Sequence, residues 1–126
     1  MKHDLKQLVL SGMLLMCPSV LHANSCENME DDLLDLMENI LVVAEYHDPG
    51  GHCELTIKST LSTMELGIEI AAAKRKYPDG YFSSCRNCYY IGGNLRKAKE
   101  YCPTKIRGSI RRTDRIWNRY EDRCEG

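Results

Sequence analysis

The stretch NMEDDLLDLMENILVVAEY, residues 28–46, decides the fold. Leu33, Leu36, Met37, Ile40, Leu41 and Ala44 recur at steps of three and four, so they lie on one face of a helix. Glu30, Asp31, Asp32 and Asp35 precede that face, where carboxylates suit the positive end of a helix dipole. Pro49-Gly50-Gly51 then ends the helix, because proline followed by two glycines cannot continue it.

The same period returns downstream. Ile57, Leu61, Met64, Ile68 and Ala71 predict a second helix over residues 53–76. Tyr77-Pro78-Asp79-Gly80-Tyr81 breaks it with turn chemistry. A third helix is expected over residues 84–101, with a defect at Gly92-Gly93, since each glycine costs about 1 kcal/mol against alanine in a helix interior. A fourth begins at Pro103 and runs to about Asp122, with Ile106, Ile110, Thr113, Trp117, Tyr120 and Cys124 as its stripe. Arginines fill its other faces. Four helices with short turns predict an all-α, four-helix bundle-like domain.

Residues 1–23 read as a secretory signal peptide. Lys2 and Lys6 start it, an apolar run over residues 8–16 follows, and Ala23 offers a cleavage point. That run is too short to span a bilayer as a permanent helix. Cleavage leaves residues 24–126 as one helical, disulfide-rich domain, expected to carry no membrane span. It also removes Cys17 and leaves Cys26, Cys53, Cys85, Cys88, Cys102 and Cys124. An even cysteine set in a small exported domain reads as a disulfide framework, so the protein is expected in a periplasm or outside the cell.

Helix lengths constrain the pairing. A helix of about 19 residues is roughly 28 Å long, whereas bridged Cα atoms lie within about 7 Å. Cys26 and Cys53 flank the first helix and are expected at opposite ends. Cys53 is expected to pair with Cys102, leaving Cys26, Cys85, Cys88 and Cys124 at the other end to form two bridges. If the third helix folds back at Gly92-Gly93, Cys88 meets Cys102 instead. Cys85-Arg86-Asn87-Cys88 has redox-motif spacing but no βαβ context, so it reads as structural.

Charge is divided along the chain. Residues 24–70 hold eleven acidic side chains and one basic, and residues 71–126 hold fourteen basic and six acidic. Either the two halves neutralise each other inside the bundle or they form opposed surfaces that steer a charged partner. The slightly negative net charge of an exported chain argues against nucleic acid. His47 and His52 straddle a turn without tetrahedral-site spacing, so no metal is expected. No hydrolase or phosphate-binding motif appears, and neither enzymatic activity nor a cofactor is expected. Tyr77, Tyr81 and Phe82 put three aromatics on a turn beside cysteines and are the candidate partner-binding residues. Tyr89 and Tyr90, at helical positions, are expected in or near the core.

Cys88-Tyr89-Tyr90-Ile91-Gly92-Gly93, followed by Cys102-Pro103, resembles a pattern in small periplasmic immunity proteins of the Rap/Tai type. Those proteins neutralise peptidoglycan amidases delivered by type VI secretion. The resemblance covers residues 88–103. It implies an exported, mostly helical, disulfide-stapled inhibitor whose partner is a peptidoglycan hydrolase. Trp117, Tyr120, Asp122 and Cys124 are similar to the Trp–aromatic–Arg-Asp–Cys ending of LprI-type lysozyme inhibitors. The other functional class open to such a chain is a secreted, toxin-like effector acting on another cell.

Overall fold

The computed structural model describes residues 18–124, with side chains from Ser25 onward. The expected leader, residues 1–23, lies for the greater part outside the described residues. Four α-helices follow in order: α1 Pro18–His47, α2 His52–Lys76, α3 Ile91–Tyr101 and α4 Arg107–Cys124. Short 3₁₀ turns, Arg86–Tyr90 and Thr104–Ile106, lead into α3 and α4. Each helix packs on its chain neighbours and α4 closes back onto α1, the cyclic order of an up-down-up-down bundle.

The expected stripes meet in one core, except that Leu41 is only partly buried against it and Leu36, also expected on that face, lies outside it. Leu33, Met37, Ile40 and Ala44 of α1 face Ile57, Leu61, Met64, Ile68 and Ala71 of α2. Ile91, Leu95 and Ala98 of α3 join Ile110, Trp117 and Tyr120 of α4, and all are buried. Each large aliphatic side chain so buried contributes about 1.5–3 kcal/mol. Thr60 and Thr113 are buried too. Their hydroxyls donate to the carbonyls of Thr56 and Ser109, 2.7 and 2.8 Å away, so neither polar group is left unsatisfied in the core.

The α1–α2 turn is closed by the Gly51 amide donating to the Asp48 carbonyl at 2.9 Å. Gly50 takes φ +76°, a conformation glycine adopts without steric cost. Its amide donates to Glu54 Oε1 at 3.2 Å, which anchors the start of α2.

Several expectations need correction. Helix α1 starts at least ten residues before Asn28, so Glu30, Asp31, Asp32 and Asp35 are not in its first turn and dipole complementarity does not explain them. The third helix is shorter than residues 84–101: α3 begins at Ile91, and residues 86–90 wind as 3₁₀. Gly92 and Gly93 therefore occupy the first turn of α3 and do not kink a helix. Tyr89 and Tyr90 are exposed, not core, because the inward face of this short helix is Ile91, Leu95 and Ala98.

Three bridges form. Cys53–Cys102 pairs as expected, and Cys26–Cys124 closes the opposite end by joining α1 to α4. Cys85 pairs with Cys88, only three residues on. This last pair is not at the Cys26 end. Its sulfurs lie 3.7 and 3.9 Å from the Thr63 carbonyl, halfway along α2, because the short α3 starts partway down the bundle. In the chain-entropy account, loops of 98 and 49 residues are worth about 4–5 kcal/mol each, and a three-residue loop under about 2 kcal/mol. The two long bridges hold the bundle, and the short one shapes a local turn. Such a framework fits a protein matured outside the reducing cytoplasm. Among the described residues, no helix is long and apolar enough to cross a membrane.

Candidate functional site

The segment between α2 and α3 carries the expected contact residues. Tyr77 ends α2, with its amide donating to the Ala73 carbonyl at 2.8 Å. Pro78 has no amide proton and fixes φ, so the chain turns at once. The Gly80 amide closes that turn onto the Tyr77 carbonyl at 3.0 Å. A Cβ at Gly80 would sit 2.8 Å from the tip of the Phe82 ring, so the ring packs closely over the turn. Phe82 thus lies half-buried over the turn. Its neighbour Tyr81 is fully exposed.

Beyond Phe82 the chain runs without regular structure to Cys85, then enters the 3₁₀ turn. The Cys88 amide donates to the Cys85 carbonyl at 3.2 Å, and the bridge closes the same turn covalently. Cys88 is buried against α2. Tyr89 and Tyr90 consequently project outward, edge-on to each other with ring centroids 5.3 Å apart. Tyr89 is 84% exposed. The exposed aromatics of the segment are thus two pairs, Tyr77 and Tyr81 at the end of α2 and Tyr89 and Tyr90 at the 3₁₀ turn, with Phe82 half-buried between them in sequence. The sequence reading included Phe82 among the contacts and omitted Tyr89 and Tyr90. The sequence feature beside both tyrosines is Cys85-x-x-Cys88, whose bridge closes the 3₁₀ turn that precedes α3.

The root of this segment is held by a buried polar cluster. Arg75, two residues before Tyr77, donates through Nη2 to both carboxylate oxygens of Glu30 at 2.8 Å. The Tyr120 hydroxyl donates to Glu30 Oε2. Glu30 and Tyr120 are buried, and the three residues tie α1, α2 and α4 together. Burial raises the Tyr120 pKa well above the usual phenol range, and its hydrogen bond to the Glu30 carboxylate raises it further. Burial works against the Arg75 charge. Hydrogen bonding to Glu30 and the contact with Tyr120 outweigh it, so the guanidinium holds its proton more tightly than usual.

The halves of opposite charge meet at Glu30–Arg75. Asp32, Asp35 and Glu38 on α1 are exposed, as are Arg111, Arg112, Arg115 and Arg119 on α4. These form no ion pair among the described residues. Arg96 pairs with Asp114 at 3.7 Å within the basic half. His52 stacks on Tyr101 at 5.2 Å, at the Cys53–Cys102 end. Residues 77–90 offer phenols, two serine hydroxyls, an amide, the Asp79 carboxylate and one guanidinium, groups suited to amphipathic contact with a protein. Compared with known family models, curated proteins and solved structures, the chain matches none.

Proposed function

We propose that this chain is an exported, non-enzymatic binding protein that inhibits a cell-wall hydrolase, as a periplasmic immunity protein does. The observation that carries the reading is four exposed tyrosines within residues 77–90, on a segment braced by the Cys85–Cys88 bridge and the Glu30–Arg75 pair. Exposed aromatics on an ordered backbone are efficient anchors, because they bury large area and few rotamers are lost on binding. The surface would occlude the hydrolase cleft, and the charged outer faces of α1 and α4 would set the rate of encounter more than the affinity. The resemblance of residues 88–103 to the Rap/Tai pattern supports the same partner class.

The test is capture by the oxidised mature protein from periplasmic and neighbouring-cell extracts, read by mass spectrometry. A peptidoglycan hydrolase retained by the native protein, and lost by a folded Tyr77→Ala, Tyr81→Ala, Tyr89→Ala, Tyr90→Ala variant, supports the proposal. The affinity loss expected is well over 1 kcal/mol. Capture of no hydrolase, with the protein found in culture medium, overturns it in favour of a secreted effector.

A further inference from the structure

We propose that Cys85–Cys88 is a thiol–disulfide exchange site, opened by a dithiol reductant that leaves the other two bridges intact. The inference is independent of the partner proposed above. Four features of the fold converge on it.

The bridge ties no two helices together, so opening it removes no link between the elements of the bundle. Access is the second feature. Cys26, Cys53, Cys88, Cys102 and Cys124 are all buried, and Cys85 alone of the six is partly exposed. Exchange requires in-line approach of a thiolate to one sulfur, so exposure selects both the bridge and the atom attacked. Third, Cys85 lies at the edge of a cavity of about 210 Å³ that is also lined by Gly67, Ile70, Ala71, Lys74 and Ser84. Lys74 puts an ammonium among that lining, which favours the approach of an incoming thiolate. Fourth, exposed Arg86 follows Cys85 directly and adds to the positive surroundings.

The chemistry balances as two exchanges. A reductant thiolate attacks Cys85 Sγ, a mixed disulfide forms there, and Cys88 leaves as a thiolate that takes a proton from solvent. The second reductant thiolate then attacks its own partner sulfur in the mixed disulfide and releases the Cys85 thiolate. Two electrons pass to the bridge and the dithiol is oxidised to a disulfide. The consequence is local: the 3₁₀ turn that aims Tyr89 and Tyr90 loses its covalent closure, while Cys26–Cys124 and Cys53–Cys102 keep the bundle.

The test is a dithiothreitol titration of the native protein, with iodoacetamide trapping and peptide mass mapping. Cys85 and Cys88 should be labelled at a dithiothreitol concentration at least tenfold below that needed for the other four, with the helical circular dichroism unchanged. Earlier opening of another bridge, or of all three together, overturns the proposal. A second experiment tests the direction of attack. The remaining thiol in Cys88→Ser should react with 5,5′-dithiobis(2-nitrobenzoate) at least tenfold faster than that in Cys85→Ser. Equal rates, or a faster Cys88, would overturn the assignment of Cys85 as the attacked sulfur.

Discussion

Removing the Tyr120 hydroxyl is the most direct probe of the cluster that roots the aromatic segment. Tyr120→Phe keeps the ring, its tilted contact with Trp117 at 5.4 Å and its place in the core, and deletes the donor to Glu30 together with the hydroxyl's contact with Arg75. A hydrogen bond to a charged group is worth about 1.5–3 kcal/mol. The lower end applies here, because Glu30 keeps both bonds from Arg75 and its side chain retains 10% exposure. Glu30→Ala should cost more, about 3 kcal/mol, since it leaves a partly buried guanidinium without its acceptor. Arg75 is 21% exposed, so water relieves part of that penalty and the upper range for a sealed pair does not apply. The double variant should then fall short of additivity by about 1 kcal/mol, the signature of a shared bond.

The assay is guanidinium unfolding of the oxidised protein at neutral pH, followed by circular dichroism and by the fluorescence of the single tryptophan, Trp117, buried beside the mutated ring. For a domain of this size each kcal/mol corresponds to roughly 4 °C in Tm. A Tyr120→Phe variant within about 0.5 kcal/mol of wild type, or strict additivity with Glu30→Ala, would refute the argument that this hydroxyl and carboxylate act as a unit.

Further predictions follow from the same structure. Tyr120 holds its proton to higher pH in the native state than in the unfolded chain, where release occurs near 10. Above that pH the unfolded state binds fewer protons, so alkali favours unfolding. The stability owed to this group is complete below about pH 10 and falls by about 1.4 kcal/mol per unit above it; Tyr120→Phe should flatten that limb in urea melts between pH 9 and 11. Replacing Cys26 and Cys124 with alanine should lower unfolding free energy by about 4 kcal/mol, against less than about 2 for the Cys85, Cys88 pair, and comparable losses would contradict the loop-length argument. Gly50→Ala forces a side chain into positive φ and should cost about 1 kcal/mol, a Tm drop readable by calorimetry; an unchanged Tm would mean that the turn relaxes at no cost.

Helices and core were legible because their signal is periodic and local. The stripes Ile57, Leu61, Met64, Ile68 and Ile110, Thr113, Trp117, Tyr120 each state one buried face, and any packing that hides those faces yields a helical bundle. Cys53–Cys102 was readable for a related reason: helix length alone places both residues at one end. The sequence thus determined helix number, inward faces, an oxidised framework and one of its bridges. It did not determine where α3 begins. In the folded chain residues 86–90 wind as a 3₁₀ turn closed by the Cys85–Cys88 bridge, α3 starts after it, and the exposure of Tyr89 and Tyr90 follows. Nor did it reveal the role of Glu30. One carboxylate in an acidic run has no distinguishing mark until α2 and α4 bring Arg75 and Tyr120 to it across 45 and 90 residues of chain. Such pairings depend on the relative rotation of three helices, which local periodicity leaves free and only tertiary packing decides.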